Sequence, residues 1–119
     1  YDALILDPPP YGRGPDGQMW KLERDLAPLL DRALALLSEE PAFVLINGYA
    51  TGYSHHSLRN LLLDLTARRG GRVESGDLLL PHRGSLRMLP CGIFARWTPG
   101  EGFRCSPASS SRTGSAWSR

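Results

Sequence analysis

Asp7 ends an uninterrupted apolar run, Ala3-Leu4-Ile5-Leu6, and is followed by Pro8-Pro9-Pro10, Tyr11 and the glycine-flanked Arg13. Proline fixes φ and lacks an N–H, so the loop is stiff while its carbonyls remain acceptors. A carboxylate beside a rigid row of carbonyl oxygens suits a planar substrate carrying N–H groups. Tyr11 would stack on that plane, and Arg13 would reach a phosphate. A second apolar run, Ala42-Phe43-Val44-Leu45-Ile46, leads into Asn47-Gly48-Tyr49. Ligands of open parallel sheets bind beyond the carboxyl ends of the strands, so two neighbouring strands would bring both polar groups to one rim. Two other readings of Asp7 stand beside this one. A magnesium-supporting Asp of a nucleotide triphosphatase needs a glycine-rich phosphate loop, and none lies in this chain. An Asp that caps a turn needs nothing else.

The elements that must hold these residues follow from periodicity. The two apolar runs read as strands buried on both faces, as in a parallel sheet. Between them Leu26, Leu29, Leu30, Ala33, Leu34 and Leu37 recur at helical spacing. Asp25 caps this helix, Pro28 falls in its first turn, and Met19 to Arg24 forms a separate short helix leading in. A second helix carries Leu58, Leu61, Leu62 and Leu65, with Ser54 as its cap and Gly70-Gly71 as its stop. Strand, helix, strand, helix predicts a doubly wound parallel sheet. Arg72 to Leu80, bent at Gly76, and Met88 to Trp97 then read as two strands joined by a turn, an antiparallel hairpin at the sheet edge.

Composition narrows the rest. A chain of 119 residues is one domain at most. It has no apolar run near the ~20 residues of a membrane helix and no signal peptide, so a cytoplasmic protein is expected. Cys91 and Cys105 give neither a disulfide framework nor paired metal spacing. The net charge of +2 resides in residues 99–119, a segment of Ser, Gly, Arg and Pro expected to be a disordered tail; residues 1–98 are neutral. Arg68, Arg69, Arg72, Arg83 and Arg87 lie close in sequence; solvated loops are the plain reading and an RNA-facing edge the other. His55, His56 and His82 read as exposed polar residues and Cys91 as packing inside a strand. Trp20 reads equally as lining an acceptor pocket or as a core or lid contact.

Four stretches in this order, "LILDPPPYGRG", "MWKLERDLAPLL", "FVLINGYATGYS" and "MLPCGIFARW", resemble class I S-adenosylmethionine-dependent methyltransferases. They look most like the large-subunit ribosomal RNA methyltransferase-like group, and the resemblance spans residues 1 to about 98. It implies an α/β fold, the carboxyl-terminal half of a Rossmann-like methyltransferase sheet: parallel strands plus an antiparallel edge hairpin. It also implies an upstream half bearing a glycine-rich loop and an acidic residue for the cofactor, neither of which this sequence contains. Asp7, Pro8 and Pro9 match the family motif, and Tyr11 matches its aromatic position. Pro10 stands where the amino-group methylases place their aromatic, so the motif does not imply adenine N6 chemistry.

The resulting expectation is methyl transfer from S-adenosylmethionine to a nucleobase, most readily in ribosomal RNA, with no metal and no membrane. Asp7 and Pro8 are the catalytic pair. Pro9, Tyr11, Arg13, Asn47 and Tyr49 bind substrate, and Asp7 borders the cofactor. A nitrogen acceptor is favoured, because a pyrimidine C5 needs a thiol and the second strand end offers none. A sheet so small leaves its leucine stripes short of cover, so the missing amino-terminal half of the same domain is expected as partner and the isolated chain is expected to be inactive. Two rival readings are a non-catalytic remnant that binds RNA or a partner, and a small protein completing its sheet by dimerising.

Overall fold

The computed structural model describes residues 1–49 and 52–100. The tail expected over 99–119 lies outside the described residues, apart from Pro99 and Gly100. The elements, in order, are β1 (Ala3–Leu6), β2 (Tyr11–Arg13), β3 (Met19–Lys21), α1 (Leu22–Leu34), β4 (Phe43–Gly48), α2 (His55–Thr66), β5 (Arg72–Pro81) and β6 (Met88–Thr98). Four strands form a mixed sheet in the order β1-β4-β6-β5, and β2 and β3 form a separate small ribbon. β1 and β4 are parallel, with Leu6 opposite Ile46. β6 runs antiparallel to both β4 and β5. The edge hairpin is therefore present, but its second strand turns inward and separates β5 from β4.

α1 forms because Leu22, Leu26, Leu30 and Leu34 recur every fourth residue and bury one stripe. It begins earlier than periodicity predicts. Met19–Lys21 is a strand, not a leading helix, because it pairs with Tyr11–Arg13. Asp25 lies inside the helix and caps it from there: its carboxylate accepts from the Lys21 N–H at 2.8 Å. Pro28 is thus interior, where it removes a helical hydrogen bond. α2 starts as expected, with the Ser54 hydroxyl accepting from the His56 N–H at 3.3 Å. Gly76 stays within the strand opposite Phe94. The irregularity of β5 and β6 falls instead between Leu78 and Leu79, leaving Cys91 without an opposite residue.

Both helices cover the same face of the sheet. The core joins the α1 stripe and Leu58 and Leu62 of α2 to Val44, Ile46, Ala95 and Trp97, with Leu4, Leu6 and Val73 against it. β1, β4 and β5 are mutually parallel and step across the sheet in one direction. Crossovers of one hand then place both helices on one side. So β1 is not buried on both faces: Ile5 is 66% exposed. Most of the leucine stripes find cover, Leu29 being exposed, and the other sheet face is the one left bare. A shallow trough of about 290 Å³ runs there along Phe43, Leu45, Asn47, Leu78, Phe94 and Arg96.

Candidate functional site

The parallel register carries Asp7 past the end of β1 to a position opposite Asn47, just past the end of the paired segment of β1 and β4. Asp7 is exposed and Pro8 half-buried. Among the described residues, no hydrogen bond reaches the Asp7 carboxylate or the Pro8 carbonyl. The next two carbonyls are engaged, which corrects the expectation that the whole proline row stays available. Pro9 O accepts from Trp20 Nε1 at 2.7 Å, and Pro10 O accepts from the Leu22 N–H at 3.1 Å. Trp20 and the start of α1 thus hold the loop from behind. Prolines stiffen the chain, and two hydrogen bonds fix where it points. Trp20 is therefore a support of the loop, half-buried against the core.

A hollow of about 950 Å³ at this rim is lined by Pro10, Tyr11, Lys21, Glu23, Tyr49, Gly52 and Tyr53. It brings together Tyr11 and Tyr49, two of the residues picked out from sequence. Asp7, Pro8, Pro9, Arg13 and Asn47 do not line it. Alternation along β4 sends Asn47 to the bare sheet face, where it borders the trough. Arg13 is exposed at the far end of β2, where its ladder partner is Met19. The predicted residues thus fall into a group around the Asp7–Asn47 strand ends, an aromatic group in the neighbouring hollow, and Arg13 apart from both.

Sequence reasoning missed Lys21, Glu23 and Tyr53. The Tyr53 hydroxyl donates to Glu23 Oε1, tying the lead-in of α2 to the first turn of α1 across the hollow. That bond, more than Glu23's own N–H or the charge of Lys21, holds the Glu23 carboxyl below its ordinary value. The same bond, with burial and the nearby carboxylate adding, raises the Tyr53 phenol. The sequence does carry a faint signal, the repeated Gly-Tyr of "NGYATGYS". Its partner Glu23 lies 30 residues away.

The remaining candidates separate. His55 is half-buried, not exposed, and its Nδ1 meets Ser75 Oγ at 2.8 Å. His56 is exposed, and the exposed His82 meets Ser85 Oγ at 3.0 Å. Cys91 is half-buried at the strand irregularity, not packed within a regular ladder, and is absent from the hollow's lining. The arginine cluster divides between opposite ends of β5. Arg69 donates to Leu34 O at the end of α1, at 3.0 Å, and Arg72 pairs with Glu74. Arg83 and Arg87 lie beyond the other end of β5.

No family model matches this chain, and no curated protein does. Among solved structures, the chain matches a SAM-dependent methyltransferase from Agrobacterium tumefaciens, at 31% sequence identity and a TM-score of 0.78. The match covers 84% of this chain and 34% of that one, so this chain spans about a third of the methyltransferase it resembles. The chain is related to that methyltransferase, and its mixed sheet is a portion of a methyltransferase fold.

Proposed function

We propose that this chain is the acceptor-side part of an S-adenosylmethionine-dependent methyltransferase acting on a nucleobase, with ribosomal RNA as the substrate class. The observation that carries the reading is the Asp7 carboxylate and the Pro8 carbonyl, neither with a hydrogen-bond partner among the described residues, on a loop whose next two carbonyls are held by Trp20 and Leu22. An acceptor's N–H groups would donate to those two oxygens. Both oxygens would also stabilise positive charge growing on a nitrogen as it is alkylated. Tyr11 and Tyr49 offer ring faces for the base in the adjoining hollow. The site is electron-rich, which also suits a cationic sulfonium at its edge. When bound, S-adenosylmethionine supplies an electrophilic methyl group, and Asp7 is the residue of this chain that would border it. The protein's share of such a transfer is mainly positioning, worth up to ~7–11 kcal/mol of barrier.

Among the described residues the hollow's lining holds no thiol, which favours a nitrogen acceptor over a pyrimidine carbon that would need covalent activation. The bare sheet face supports a further part of the reading. Ile5, Phe43, Leu45, Leu78 and Phe94 form an apolar surface beside the open edge of β1, and the related methyltransferase is much longer than this chain. The rest of such a domain, carrying the cofactor's glycine-rich loop, would cover that face.

The test is incorporation of labelled methyl from S-adenosylmethionine into ribosomal RNA by the full-length protein. Asp7→Asn is expected to lower the rate by about 10²–10³, the usual worth of one electrostatic group at a reacting centre. An unchanged rate would remove Asp7 from the mechanism. RNA binding with no methyl transfer by the wild type would favour a non-catalytic RNA-binding role. Calorimetry of the isolated chain with S-adenosylmethionine is expected to show no micromolar binding, and such binding would contradict the need for a second half.

A further inference from the structure

β5 and β6 are longer than the sheet they belong to. The last residue of β6 paired with β4 is Ile93, opposite Gly48. From there outward, β5 and β6 pair only with each other, through Leu79–Pro90, Leu80–Leu89 and Pro81–Met88. The arm overhangs the carboxyl rim, because β5 runs parallel to β1 and β4 and its end points the same way. It projects roughly 13 Å past the sheet at ~3.4 Å per residue, before the turn at its tip. Its root touches the aromatic hollow. A Cβ on Gly92 would lie 2.8 Å from Tyr49 Cδ1 and 2.8 Å from Gly48 O, so the Tyr49 ring rests directly on the arm's backbone.

The arm has an unusual surface. Every residue from Pro81 to Pro90 is exposed. Leu79, Leu80, Met88 and Leu89 are each about half exposed, and Leu86 at the tip is fully exposed (102%). Between Leu78 and Gly92 there is no acidic residue, while His82, Arg83 and Arg87 are present. Strand alternation puts Leu80 and Leu89 on one face of the ribbon and Leu79 and Met88 on the other. A flat protein partner would cover one face of such a ribbon and leave the other wet. A blade with apolar residues on both faces, an apolar tip and only positive charge fits between two walls that carry phosphates.

We infer that the β5–β6 arm is a nucleic-acid wedge of the same site, in which Arg83 and Arg87 hold backbone phosphates and Leu86 fills the stack beside the nucleotide delivered to the rim. The inference rests on the nucleobase reading above. Chemistry on a base requires that base to leave its stack, and apolar side chains inserted between base steps are a known means of opening one. The arm's position over the rim, with Tyr49 at its root, sets the wedge next to the stacking surfaces that would receive the base.

The experiment measures binding of the full-length protein to a short fluorescein-labelled RNA stem-loop across a salt series. The same RNA with 2-aminopurine in its loop reports unstacking. Arg83→Gln/Arg87→Gln is expected to weaken binding and to make the salt dependence shallower by about one unit of slope per arginine. Leu86→Ser is expected to keep the slope and lose the 2-aminopurine signal. An unchanged slope in the double variant overturns the inference, as does absence of wild-type RNA binding. Light scattering that shows the arm variants dissociating a dimer, with RNA affinity intact, would make the arm a self-association surface and also overturn it. The two readings fail separately. Arm-dependent RNA binding without methyl incorporation sinks only the methyltransferase, whereas Asp7-dependent methylation with arm-independent RNA binding sinks only the wedge.

Discussion

The two faces of the sheet have similar side chains and opposite fates. On one, Leu4, Leu6, Val44, Ile46, Ala95 and Trp97 meet the leucine stripes of α1 and α2 and form the core. On the other, Ile5, Phe43, Leu45, Leu78 and Phe94 have no helix above them among the described residues. The lesson is that apolar content says how much surface a chain can bury, while chain direction says which surface it does bury. Both crossovers move the same way across the sheet, so the second face waits for something other than α1 and α2.

The contrast is sharpest in stability. Leu30→Ala, in the fully buried stripe of α1, is expected to cost about 2–5 kcal/mol in urea unfolding, as core truncations that leave a cavity do. Ile5→Thr on the bare face is expected to change stability by no more than about 0.5 kcal/mol. A comparable loss from both would mean that the bare face is already covered in solution.

Between those extremes lie the contacts that join the covered face to the rim. Gly92→Ala is expected to cost about 1–3 kcal/mol, because the new Cβ collides with Gly48 O and the Tyr49 ring at a φ of +155°. Displacement of Tyr49 should appear as altered tyrosine fluorescence, and full stability with an unmoved Tyr49 would contradict the contact. Trp20→Phe removes the donor to Pro9 O while keeping most of the ring. A loss of about 1 kcal/mol is expected, and no loss would mean that the prolines alone set the loop.

The smallest effect is the most local. The Tyr53 hydroxyl donates to Glu23 most strongly while the carboxyl is ionised and the phenol is neutral. The folded carboxyl value is depressed, so its contribution is present above the unfolded value and fades as pH falls through the folded one. The folded phenol value is raised, so its contribution is present below the unfolded value and fades as pH rises through the folded one. Ultraviolet titration of the phenolate band should show one tyrosine ionising late. Glu23→Ala, which removes the acceptor, should return it toward the ordinary phenol range, and an unmoved titration would refute the bond.

The sequence by itself determined what depends on neighbours along the chain. The two parallel strands, both helical stripes, the Ser54 cap and the terminal hairpin follow from spacings of two to four residues, which the backbone converts directly into faces. The proline-held Asp7 was equally plain, since proline acts on its own φ. Only the tertiary structure decided which side the helices take, that β6 inserts between β4 and β5, that Trp20 locks Pro9, and that Glu23 reaches Tyr53. Each of these is a meeting of groups distant in sequence, set by chain direction and packing. Periodicity repeats locally and carries no record of which distant group a side chain will meet.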